Sequence, residues 1–131
     1  SSEVEVLKYN NHQLTHLQTI KTIPADWNEH NGCAAIEITN DDCFLYVSNR
    51  GFDSIAVFEI QSDGTLKLIQ NVSVEGSFPR DFALNHDQNF LVVGNQTTDN
   101  LTLFERNAND GKLELIQKDF AAPEVVCVYF K

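Results

Sequence analysis

Most of this chain is one motif written twice, and that constrains its fold more than any other feature. Residues 36–70 align with residues 82–117, at an offset of 46 up to Glu59/Glu105 and 47 beyond it. The identical pairs include Asp41/Asp87, Phe44/Phe90, Leu45/Leu91, Val47/Val93, Asn49/Asn95, Asp53/Asp99, Phe58/Phe104, Asp63/Asp110, Gly64/Gly111, Leu66/Leu113 and Gln70/Gln117. A duplication at this period is the mark of stacked supersecondary units, each unable to bury its apolar face alone.

Each copy splits into four short runs rich in Val, Ile, Leu, Phe and Thr. They are Ala34–Thr39, Phe44–Asn49, Ser54–Ile60 and Leu66–Val74, then Asp81–Asn85, Phe90–Asn95, Asn100–Arg106 and Leu113–Phe120. Turn residues such as Ser62-Asp63-Gly64 and Asn109-Asp110-Gly111 separate them, and no segment keeps a 3.6-residue period. Four strands per repeat predict an all-β chain built of four-stranded antiparallel blades, part of a β-propeller. Residues 34–80 form one blade and 81–122 a second. Within 1–33, Val4–Tyr9 and Leu14–Ile20 read as the outer strands of a preceding blade. Residues 123–131 read as a ring-closing strand, Val125–Phe130. About eleven strands are expected in all. The alternative is a small sandwich or open stack complete in itself, which would leave the end strands as bare sheet edges. The chain contains no Met and begins Ser1-Ser2-Glu3, which reads as a fragment. Such a piece is expected to pair with another copy or with the missing N-terminal blades.

Composition narrows the function classes. Nine Lys and Arg against 19 Asp and Glu give a net charge of -10, which speaks against a nucleic-acid partner. No apolar run is long enough to span a bilayer, so no membrane association is expected. Cys33, Cys43 and Cys127 have neither disulfide-framework nor zinc spacing and read as reduced thiols of a cytoplasmic protein. The four His have no metal spacing, and P-loop, dinucleotide and nucleophile-elbow patterns are missing, so no metal or cofactor is expected.

Blade topology sorts the loops by end. The loop after a second strand (residues 49–53) and the loop leading into the next blade (residues 76–80) share one end of the ring. Of three arginines, Arg50 and Arg80 fall there, and Arg106 falls at the other end among acidic turns. Arginine presents a rigid fork of donors to phosphate or carboxylate. The two arginines are candidate anion ligands, and equally candidate loop ties to main-chain carbonyls. Asn49, Asp53, Phe78 and Asp81 flank them as candidates for ligand contact, though the recurrence of Asn49 at Asn95 also suits loop shaping.

Three segments carry a family resemblance: FLYVSNRGFDSIAVF from Phe44 to Phe58, GSFPRDFAL from Gly76 to Leu84, and PEVVCVYF from Pro123 to Phe130. In that order they resemble the seven-bladed lactonase family, which includes bacterial 6-phosphogluconolactonase and is similar to fungal muconate-lactonizing enzymes. The resemblance implies a seven-bladed whole of which this chain is the C-terminal part, with substrate at the central opening. It implies a lactone hydrolase, most specifically one acting on 6-phosphoglucono-1,5-lactone in the pentose phosphate pathway, with a small phosphorylated sugar lactone as partner. Arg50 then matches the Arg of S-N-R-G and Arg80 that of F-P-R, in oxyanion or phosphate roles, while Asn49, Asp53, Phe78 and Asp81 stay candidates for substrate contact by their place beside them in the sequence. Many members carry Glu where this chain has Ala35 and His where it has Phe52. These departures keep open a non-catalytic binding platform of the same family, and the fragment alone is expected to be inactive.

Overall fold

In the computed structural model, which describes residues 1–131, ten strands and no helix form between Glu3 and Ala121. The hairpin β1 (Glu3–Asn10) and β2 (Gln13–Lys21) stands as a two-stranded sheet. The first full blade is β3 (Gly32–Ile38), β4 (Phe44–Arg50), β5 (Ser54–Ile60) and β6 (Leu66–Ser73), in that order. The second is β7 (Pro79–Leu84), β8 (Phe90–Asn95), β9 (Asn100–Arg106) and β10 (Leu113–Ala121). All pairings are antiparallel, as short connections between consecutive strands require.

Alternation along each strand sends side chains to opposite faces, and both faces of the first blade are covered. Phe44, Tyr46, Ile55 and Val57 pack against Phe82, Leu84, Leu91, Val93, Phe104 and Leu113 of the second blade. Leu45, Val47, Ala56, Phe58 and Leu66 pack against Val4, Val6 and Ile20 of the hairpin. The core therefore lies between sheets, as the repeat reading implied. Tyr46 adds a polar tie across the blade boundary, donating its hydroxyl to the Gly111 carbonyl at 2.6 Å.

The segment expected to close the ring, residues 125–130, pairs with no strand among residues 1–131 and meets the second blade through side chains. Val128 N–H donates to Asp81 Oδ2 at 2.8 Å, and the Val125 side chain lies against Gly94. The same relation joins the two blades, where Leu84 N–H donates to Glu37 Oε2 at 3.2 Å, again across 47 residues. The segment thus sits on β7 and β8 as β7 sits on β3 and β4.

Candidate functional site

The end of the fold that carries Arg50 is built from three loops. Residues 51–53 reverse the chain between β4 and β5, with Gly51 at φ 122° and Asp53 at φ 49°. A Cβ on Gly51 would clash with the His30 carbonyl oxygen, so the turn presses directly on the 22–31 loop. Asn31 completes that seam: its Oδ1 accepts the Phe52 N–H at 3.0 Å and its Nδ2 donates to Asn49 Oδ1 at 3.3 Å.

Arg50 is half-buried. Its Nη2 donates to the Cys33 carbonyl at 3.2 Å, and its guanidinium lies 5.1 Å from the centroid of the Phe78 ring. Phe78 has a left-handed backbone, φ 61°, which turns the 76–80 loop toward Arg50. The cation–π contact and the carbonyl fix the plane of the guanidinium. Its Nε is buried and makes no hydrogen bond. Arg80, on β7, is exposed, and its Nη1 reaches Gln96 Oε1 at 3.4 Å. Gln96 in turn donates its N–H to the Phe78 carbonyl. Arg50, Phe78 and Arg80 therefore share one end. Arg106 lies at the other, buried, donating Nε–H to the Gln88 carbonyl.

Three residues suggested for ligand contact have other tasks. Asn49 is fully buried. Its Oδ1 accepts Thr22 Oγ1–H at 2.6 Å, and its Nδ2 donates to the Thr22 carbonyl at 3.0 Å and Ser54 Oγ at 3.2 Å. It anchors the 22–31 loop to the blade and does not face an opening. Asp53 Oδ1 accepts the N–H of Gly51 at 3.2 Å and of Phe78 at 2.9 Å. Its repeat partner Asp99 does the same for Glu124 at 2.8 Å, so the pair are loop ties wherever the repeat places them. Asp81 takes the Val128 N–H, and its carboxylate beside the Cys127 thiol raises the thiol's pKa.

Sequence reasoning missed Glu37, Trp27 and Asn31. Burial pushes the Glu37 carboxyl above its ordinary range, and the Asp81 charge adds to this, against the Leu84 N–H that favours the anion. Trp27 meets the Phe52 ring edge-on at 4.9 Å. Nothing in the period or spacing of the sequence pairs these residues: Glu37 meets Leu84 and Asp81 of the next blade, and Trp27 and Asn31 both meet Phe52 from another loop.

The largest cavity, about 550 Å³, is not at this end. It lies beside Arg106 and Lys112 and is also lined by Glu105, Asp110 and Glu114. Those carboxylates repel an anion, so size does not make it the better candidate for a phosphorylated ligand.

Residues 1–130 match the family model described as lactonase, 7-bladed beta-propeller. The chain belongs to this family. A 6-phosphogluconolactonase of Bacillus subtilis (strain 168) is 43% identical over 133 residues, covering 99% of this chain and 38% of that protein. Among solved structures, a protein from Lactobacillus plantarum superposes with a TM-score of 0.95 at 53% identity, over 97% of this chain and 38% of its own. The Pseudomonas aeruginosa periplasmic gluconolactonase gives 0.88 at 32% identity, over 95% and 35%. The chain thus spans little more than a third of the length of these relatives. The two positions expected to differ from the lactonase pattern, Ala35 and Phe52, are both engaged locally. Ala35 packs at the edge of the blade–blade core with its N–H on Ser48 Oγ at 3.0 Å, and Phe52 pairs with Trp27.

Proposed function

We propose that this chain is the C-terminal part of a lactone hydrolase, and that the lactone is 6-phosphoglucono-1,5-lactone. The observation that carries the reading is Arg50, held flat by Phe78 and the Cys33 carbonyl with its buried Nε unpaired. A guanidinium whose plane is already fixed loses little freedom when it meets an anion. In lactone hydrolysis water attacks the ring carbonyl carbon, the carbonyl oxygen gains negative charge, and the ring C–O bond then breaks with a proton passing to the ring oxygen. Arg50 suits the developing oxyanion or the phosphate, and exposed Arg80 suits the other. Kinship with the Bacillus subtilis 6-phosphogluconolactonase supports the phosphorylated substrate. A cytoplasmic location belongs to the same proposal.

A second reading, a non-catalytic binding platform, is favoured by the engagement of Asp53 and Asp81. The carboxylates adjoining the arginines in sequence are tied to main-chain N–H groups, which lowers their use as a base. A chimera decides between the two. This chain would replace the matching 38% of the Bacillus subtilis enzyme, and proton release from 6-phosphoglucono-1,5-lactone would be followed. The enzyme reading expects a folded, active chimera whose rate falls about 10²-fold on Arg50→Ala. A folded chimera without activity, or one indifferent to Arg50→Ala, overturns it.

A further inference from the structure

Arg50 and Arg80 stand at the junction of the two whole blades, one ending β4 and the other opening β7, and they present different edges of the guanidinium. The side edge of a guanidinium sets Nε–H beside an Nη2–H, two parallel donors that match two oxygens of a phosphate or carboxylate. Nη1 stands away from that pair, on the Cδ side.

On Arg50 the side edge is turned into the protein. Nη2 donates to the Cys33 carbonyl on β3 at 3.2 Å and packs on Gly32, where an added Cβ would come within 3.7 Å of it. Nε is closed off from solvent. The Phe78 ring covers one face of the plane, 5.1 Å from Cζ. Only Nη1 is neither bonded nor buried, so Arg50 offers one nitrogen outward, in a fixed direction. Arg80 is the reverse. Its Nη1 is taken by Gln96 Oε1 at 3.4 Å, and Nε and Nη2 hold no bond to this chain. Its free edge is the fork. Phe78 governs both arginines: its ring lies on Arg50, and its carbonyl holds the Gln96 N–H at 3.1 Å. Phe78 is itself held by Asp53 Oδ1, which accepts its N–H at 2.9 Å.

We propose that the two arginines divide the substrate by these edges. Arg50 gives Nη1 to the lactone carbonyl oxygen as it gains charge, and Arg80 gives its Nε/Nη2 fork to the phosphate. Arg80 is then the residue that sets the preference for a phosphorylated lactone. The assignment rests on the lactone hydrolase proposed for this chain and divides the roles within it. An oxyanion is one atom whose charge appears only in the transition state, and it is best met by a donor that need not move. A phosphate is charged throughout the reaction and presents several oxygens, so a fork suits it and acts on binding more than on turnover.

The chimera with the Bacillus subtilis enzyme tests this with two substrates: 6-phosphoglucono-1,5-lactone, and glucono-1,5-lactone, which keeps the carbonyl and lacks the phosphate. Proton release follows both, and far-UV circular dichroism checks that each variant folds. The parent should prefer the phosphorylated lactone. Arg80→Ala should erode that preference about 10- to 100-fold, chiefly by raising KM for the phosphorylated lactone. Arg80→Lys keeps the charge and loses the fork, so it should recover only part of the loss. Arg50→Ala should lower kcat for both lactones by about 10²-fold and keep their ratio. A parent without the preference, a preference untouched by Arg80→Ala or removed by Arg50→Ala instead, or Arg80→Lys with the full preference of the parent overturns the division. If the folded chimera turns over neither lactone, the hydrolase reading fails and takes the oxyanion role of Arg50 with it. Calorimetric titration with 6-phosphogluconate then judges the phosphate half on its own. Binding that is lost in Arg80→Ala keeps the phosphate on that fork; no binding, or binding indifferent to Arg80→Ala, removes it.

Discussion

Asn49 and Asn95 hold equivalent places in the repeat, yet replacing each by Ala should have unequal effects. Asn49 makes hydrogen bonds to Thr22 Oγ1, the Thr22 carbonyl, Asn31 Nδ2 and Ser54 Oγ, at 2.6 to 3.3 Å. Each is worth roughly 0.5–1.5 kcal/mol net. The loss is softened because Thr22 and Asn31 keep other partners in Ser2 and Asn71. Asn49→Ala should therefore cost about 3 kcal/mol. Asn95 has one good bond, to Thr102 Oγ1 at 2.9 Å, and one at 3.5 Å to the Val74 carbonyl, while its buried Oδ1 has no partner. Removing it also removes that burial penalty, so Asn95→Ala should cost about 1 kcal/mol. With a urea slope of about 2 kcal/mol/M, the Asn49 variant should unfold about 1 M earlier than the Asn95 variant. Equilibrium urea unfolding followed by circular dichroism reads this directly. Equal midpoints, or the reverse order, would refute the anchoring account of Asn49. Unchanged stability would return it to the candidates for ligand contact.

Two further outcomes follow from ionisable groups, one buried and one half-buried. The Tyr46 phenol is pushed up from 10.0 to about 12, by burial first, so the folded state keeps a proton that the unfolded state loses. Its contribution is present below pH 10 and disappears as pH rises toward 12; Tyr46→Phe should flatten that alkaline limb and cost about 1–2 kcal/mol at neutral pH by leaving the Gly111 carbonyl unpaired. Glu37 is also raised, so its folded form binds protons more readily, and its contribution falls as pH rises from 4.5 through the higher folded value. Glu37→Gln keeps an acceptor for the Leu84 N–H, and should be more stable than the parent at neutral pH with the difference vanishing in acid; a parent-like profile in thermal melts across that range would count against the burial account.

The sequence by itself determined the architecture. A repeat carrying four apolar runs and Asp-Gly turns admits few folds, because each sheet must cover both faces with its neighbours. Hence the four-stranded blades, the end shared by Arg50 and Arg80, and the banishment of Arg106 were legible before any coordinates. Only the tertiary structure decided what those residues touch. That the Asp53 carboxylate meets the Phe78 N–H depends on a loop 25 residues away. Asn49 looked available because period-2 alternation cannot tell a side chain aimed at solvent from one aimed at a packed loop. Where Val125–Phe130 packs is a tertiary fact too: its Val128 N–H meets the Asp81 carboxylate of the second blade, as Leu84 N–H meets Glu37 of the first. The Phe78–Arg50 contact was likewise beyond reach, since a left-handed phenylalanine is set by what surrounds it and not by its own preference.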